Sequence, residues 1–208
     1  MHRIVVGFVV GFVVSLSAVR TAHAQQDLEV VPEEIAQQVV EASVEELKKV
    51  TDAPFKVEVD ASKSTVVGGL EVGGIAFLAH KNVTEDALKK SDKEVAPLGV
   101  LGLYRLSLVA DKKTVPADKL RAGIIVIEGT TLEVSFCFVG VKTEQDGKRQ
   151  LLIYGKDKEP LVKLPLSDFE TKVDRPVAIE CKVGNGDGTL HLNVLRKFQA
   201  IVPLKQAS

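Results

Sequence analysis

The chain has 208 residues, 45% of them hydrophobic, enough for one domain with a substantial core. Its 27 Lys and Arg against 28 Asp and Glu give a net charge of −1 with no basic cluster, so nothing electrostatic draws it to nucleic acid. Aromatics make up 5% and Trp is absent, which argues against a sugar platform, and hence against a carbohydrate-binding module or a glycosidase, although Glu58, Asp60, Glu128, Glu133 and Glu180 place carboxylates in or beside strands.

Residues 1–24, "MHRIVVGFVVGFVVSLSAVRTAHA", combine a basic start at Arg3, an apolar run from Ile4 to Val19 and an Ala22-His23-Ala24 end, the three-part pattern of a cleaved secretory leader. As a helix that run reaches about 24 Å, short of the ~30 Å hydrocarbon core, so a retained membrane anchor is the weaker reading. The expectation is an exported product, secreted or periplasmic, starting near Gln25 and carrying no stable membrane anchor. Loss of Arg3 and Arg20 makes it more acidic still.

The segment 25–54 carries one predicted amphipathic helix over 32–50. Pro32 suits its start, Glu33 and Glu34 follow where the helix dipole favours acid, and Lys48 and Lys49 stand where it favours base. Ile35, Val39, Val40, Val44 and Leu47 recur at helical spacing and form one face, expected to pack on a sheet.

From Phe55 the period changes to two. A β-rich domain is expected over 55–204, with a short tail at 205–208. Its strand candidates are "FKVEVD", "GGIAFLA", "GLYRLSLVA", "AGIIVIEG", "TLEVSFCFVGV", "RQLLIYG", "PLVKLPL", "VAIECKV", "TLHLNVL" and "FQAIVPL". Turns separate most of them, which predicts an antiparallel β-sandwich or partly closed barrel of about nine or ten strands, preceded by the one helix. Between strands, Thr84 offers an N-cap for a short helix in "NVTEDALKKS", and "SDFE" at 167–170 reads as a capping box opening a single turn.

The stretch "VGNGDGTLHL" invites a calcium reading. With Asp187 at position 5 of an EF-hand loop, Gly188 falls at 6 and Asn185 at 3, but Val183 and Val194 occupy the positions of the two anchoring carboxylates. The flanking alternation, Val177, Ile179, Cys181 and Val183 on one side and Leu190, Leu192 and Val194 on the other, predicts a β-hairpin instead. The double glycines of "VVGGLEVGGIAF" lack the spacing of a phosphate loop and are expected at turns or bulges between strands.

No metal or cofactor site is expected. His80 and His191 are the histidines beyond the leader, and no nucleophile motif accompanies them, so a hydrolase would need one of them to meet a carboxylate and a hydroxyl across the fold. Cys137 and Cys181 are a candidate disulfide if export brings them to an oxidising compartment, but Cys137 shares its face with Glu133 and Ser135 whereas Cys181 shares its own with Ile179 and Val183. The leading expectation is a non-catalytic exported protein with a structural or interaction role, its partner a protein or a second copy. The alternative is a binding protein for a small apolar ligand, because "GIIVI" and "SFCFVGV" are apolar on both faces and could line a cavity or face a second layer.

Overall fold

Past Pro54 the chain is rich in Val, Ile and Leu at every second position, and such stretches gain most when a pleated strand buries one face. In a computed structural model, which describes residues 26–69 and 71–207, they form two seven-stranded antiparallel sheets packed as a β-sandwich. The expected leader, residues 1–24, lies outside the described residues. Among those described, no helix is long and apolar enough to cross a membrane.

In chain order the elements are β1 (Gln26–Asp27), α1 (Glu33–Leu47), β2 (Thr65–Gly69), β3 (Gly73–Ala79), α2 (Glu85–Lys89), β4 (Ala96–Tyr104), β5 (Leu106–Ala110), β6 (Lys113–Thr114) and β7 (Arg121–Ile127), followed by β8 (Thr130–Thr143), β9 (Arg149–Tyr154), β10 (Pro160–Pro165), β11 (Ser167–Asp168), β12 (Val177–Gly184), β13 (Asp187–Val194) and β14 (Phe198–Gln206). The first sheet runs β1-β12-β13-β14-β5-β6, with β11 also on β14. The second runs β10-β9-β8-β4-β3-β2, with β7 also on β8.

One core lies between the sheets. Ile179 and Cys181 of β12, Leu190 and Leu192 of β13 and Val202 of β14 meet Phe77 of β3, Leu101 of β4, Val139 of β8 and Ile153 of β9 there. A second core lies on the far side of the second sheet, where Leu78, Val100, Phe136, Phe138 and Tyr154 are covered by α1 and the stretch 50–59. The middle of the second sheet, β3, β4, β9 and the second half of β8, is therefore buried on both faces, which is why these strands read as apolar runs rather than alternations.

Several elements differ from the sequence reading, each for a local reason. "FKVEVD" keeps its alternation, with Phe55, Val57 and Val59 packed on the second core, but forms no strand. It crosses the outer face of the sheet instead of running along an edge, and only its end pairs, through the Val59–His80 bridge and the bond from the Asp60 amide to the Ala79 carbonyl (2.8 Å). "GLYRLSLVA" is two strands, because the chain leaves the second sheet at Arg105 (φ 55°) and enters the first. "SDFE" opens no helical turn: Ser167 and Asp168 pair with β14, and the Phe169 amide donates to the Lys197 carbonyl. The double glycines lie inside β2 and β3, the strands flanking a tight hairpin.

Other features sit close to the reading. Pro32 is the N-cap of α1, and Lys48 and Lys49 lie just past its last turn, paired with Glu45 and Glu46. The Thr84 hydroxyl accepts from the Ala87 amide at the start of α2. Asn185 and Gly186, at φ 52° and 82°, make the two-residue turn between β12 and β13, the geometry that Asn-Gly serves best.

Candidate functional site

Register decides what the outer face of the second sheet presents to α1. One cross-strand row is Leu78, Val100, Phe138 and Tyr154, all bulky, with the Phe55 ring edge-on to Phe138 and Tyr154 at 5.9 and 5.5 Å. The next row is Val66, Ala76, Gly102 and Phe136, and the one beyond it Gly68, Gly74 and Tyr104. The side chains of β2, β3 and β4 thus dwindle along the sheet beneath α1.

The helix is also held close at one side. A Cβ on Gly123 of β7 would stand 2.8 Å from Cγ of Glu46 and 2.6 Å from the Phe136 ring, so this glycine lets α1 settle against β7. Arg121, at the start of β7 and 7% exposed, ties down the chain beyond the helix. Its guanidinium donates to the Asp52 carboxylate (2.6 Å) and to the carbonyls of Asp52 (3.1 Å) and Lys156 (3.2 Å).

Between this seat and the glycine floor lies a cavity of about 370 Å³, within the range of small-molecule sites. Ile35 and Val39 of α1 form its roof, Gly68, Gly74, Ala76 and Gly102 its floor, and Ile125, Ile127, Leu132, Val134 and Phe136 of the β7–β8 hairpin its wall. Its polar groups are Ser43, Tyr104, Glu128 and Thr130. Glu128 and Gly129 form the β7–β8 turn with φ 49° and 78°, a conformation that Asn or Gly adopts readily and that costs Glu about 1 kcal/mol or more. A second space of about 260 Å³ adjoins the helix at Val44 and Leu47, beside Phe55.

The groups named from sequence are dispersed. His80 follows β3, and its Nδ1 accepts from the Glu58 amide (3.0 Å); burial pulls its pKa below the ordinary histidine value. Glu58 is held down to about 2 by Lys56 and Lys81, and Asp60 caps a turn while pairing with Lys63 (2.8 Å). His191 lies in the other sheet, beside Glu180 across β12 and β13. Glu133 is exposed on the hairpin face away from α1, and only Glu128 of the five carboxylates borders the cavity. Cys137 and Cys181 are unbonded thiols in the inter-sheet core, each pushed up to about 12 by burial. Among the described residues no three His, Cys, Asp or Glu side chains converge as a metal site would need.

Sequence reasoning caught part of the wall, since "GIIVI" supplies Ile125 and Ile127, but it missed the floor. The signal was present in the small residues Gly68, Gly74, Ala76 and Gly102, yet only the strand register reveals that they share one face. Comparison of the chain with protein families, with curated proteins and with solved structures finds no match.

Proposed function

We propose that this chain is an exported, non-catalytic binding protein that holds a small apolar molecule between α1 and the second sheet. The observation that carries the reading is the cavity: about 370 Å³, walled by branched aliphatic side chains and Phe136 and floored by bare backbone. An apolar lining of this size left facing water is unfavourable, and a bound apolar molecule supplies the burial it lacks.

The test is displacement of the neutral fluorophore N-phenylnaphthylamine. The wild-type protein binds it, and Val39→Phe, which fills the roof, weakens binding about tenfold, equivalent to ~1.4 kcal/mol, with little change in Tm. Native mass spectrometry of protein from its own host complements this with the mass of whatever occupies the site. A wild-type protein that neither binds the fluorophore nor carries extra mass sinks the proposal.

A second reading, association through the β7–β8 hairpin, is favoured by Ile124 and Val126, each 57% exposed on the face away from α1. Sedimentation at rising concentration is expected to show a self-associating wild type and a monomeric Ile124→Lys, Val126→Lys variant. A concentration-independent monomer in both removes self-association.

A further inference from the structure

We infer that the molecule taken into this cavity is a cationic amphiphile, an alkyl or aryl chain ending in an ammonium group that sits at Glu128. The inference rests on the reading of the cavity as a ligand site and assigns the chemistry of the ligand's polar end.

Two observations point to a positive end. Among the described residues lining the cavity, Glu128 is the one carboxylate, and no Lys, Arg or His is present. A fatty acid or other anionic amphiphile would therefore bring its charge to a carboxylate with no lining cation to answer it. The positive end of the α1 dipole, which borders the cavity through Val31 and Ile35, is already met by Glu33 and Glu34 in the first turn.

The backbone at Glu128 agrees. The two-residue turn it occupies asks for φ above zero at both positions, where Asn-Gly or Asp-Gly is the ordinary choice. Glu carries its carboxylate farther from the backbone than Asp or Asn does, so the less suitable turn residue supplies an anionic group with reach at the edge of the apolar space.

The experiment compares three ligands of equal chain length, decylamine, decanol and decanoate, below their micelle concentrations at neutral pH and low salt, each displacing N-phenylnaphthylamine from the full chain. Because Glu128 is solvent-exposed, the expected preference is moderate: decylammonium about fivefold tighter than decanol, and decanoate weaker than both. Glu128→Gln is expected to bring decylammonium to the affinity of decanol and leave decanol unchanged. High salt is expected to do the same in the wild type, which gives a readout independent of any variant. Equal affinity for all three, or decanoate binding tightest, overturns the head-group assignment while leaving the apolar site intact. Failure of decanol as well as the two ions to displace the fluorophore overturns the ligand-site reading itself.

Discussion

Gly99→Ala is expected to lower the unfolding free energy by about 4 kcal/mol and Tm by roughly 10 °C, although it adds a single methyl group. Gly99 lies in β4, at the centre of the second sheet, with Ala79 on one side and Val139 on the other. A Cβ there would stand 2.2 Å from the Leu78 carbonyl oxygen and 3.0 Å from the Phe77 ring. Neither neighbour can retreat, because the first is backbone within the ladder and the second is a fully buried aromatic. The reason for the crowding is a β-bulge. The β4–β8 register slips between Pro97 and Gly99, so that Ala96 and Leu98 face the inter-sheet core before it and Leu101 and Leu103 face it after. Without that slip the leucines of one half of β4 would be turned toward α1. Gly129→Ala is the control: no atom lies within 4 Å of its Cβ position, so only the left-handed backbone is penalised, at about 1 kcal/mol. Urea and thermal unfolding of the two variants separate these costs. A Gly99→Ala protein within 1 kcal/mol of Gly129→Ala would mean that the bulge relaxes freely.

What could be read from the sequence follows from how many faces each element buries. The β12–β13 hairpin buries mainly one side, so Ile179, Cys181 and Val183 alternate visibly with Glu180 and Lys182, and Asn185-Gly186 marks the turn. The helix α1 is legible for the same reason, with Ile35, Val39 and Val40 in one stripe. In the middle of the second sheet both faces are covered, and "GIAFLA" or "SFCFVGV" therefore carries no parity from which a register could be derived. The cavity depends on that register, because Gly74, Ala76 and Gly102 matter only through being side by side. "FKVEVD" shows the converse limit. Its alternation correctly reports a buried stripe, but a stripe does not reveal whether the backbone lies along a strand or across a sheet. Glu128 was visible only as a carboxylate in or beside a strand, and both its place in the turn and its relation to the cavity came from the hairpin that carries it.

Both cysteines are expected to resist iodoacetamide in the folded protein and to react fully once it is denatured without reductant. Cys137 is fully buried in β8 and Cys181 is 2% exposed in β12. Burial raises each from an ordinary value of 9.0 to about 12, which lowers the reactive thiolate fraction about a thousandfold near neutral pH. Two adducts after denaturation establish free thiols, whereas no adducts and a mass about 2 Da low would establish the Cys137–Cys181 disulfide that export could have formed. The same burial sets a pH limit. A thiol with a raised folded pKa favours the folded state fully below the unfolded value and loses that contribution as pH rises toward the folded one. Stability is therefore expected to fall between about pH 9 and 12, by about 1.4 kcal/mol per pH unit for each thiol, and replacing Cys137 by Val should remove its share of the slope. Rapid labelling of either thiol in the folded protein would require the sheets to part locally around it. The tight inter-sheet core would then not be the rigid layer against which the second sheet holds its glycine floor open beneath α1.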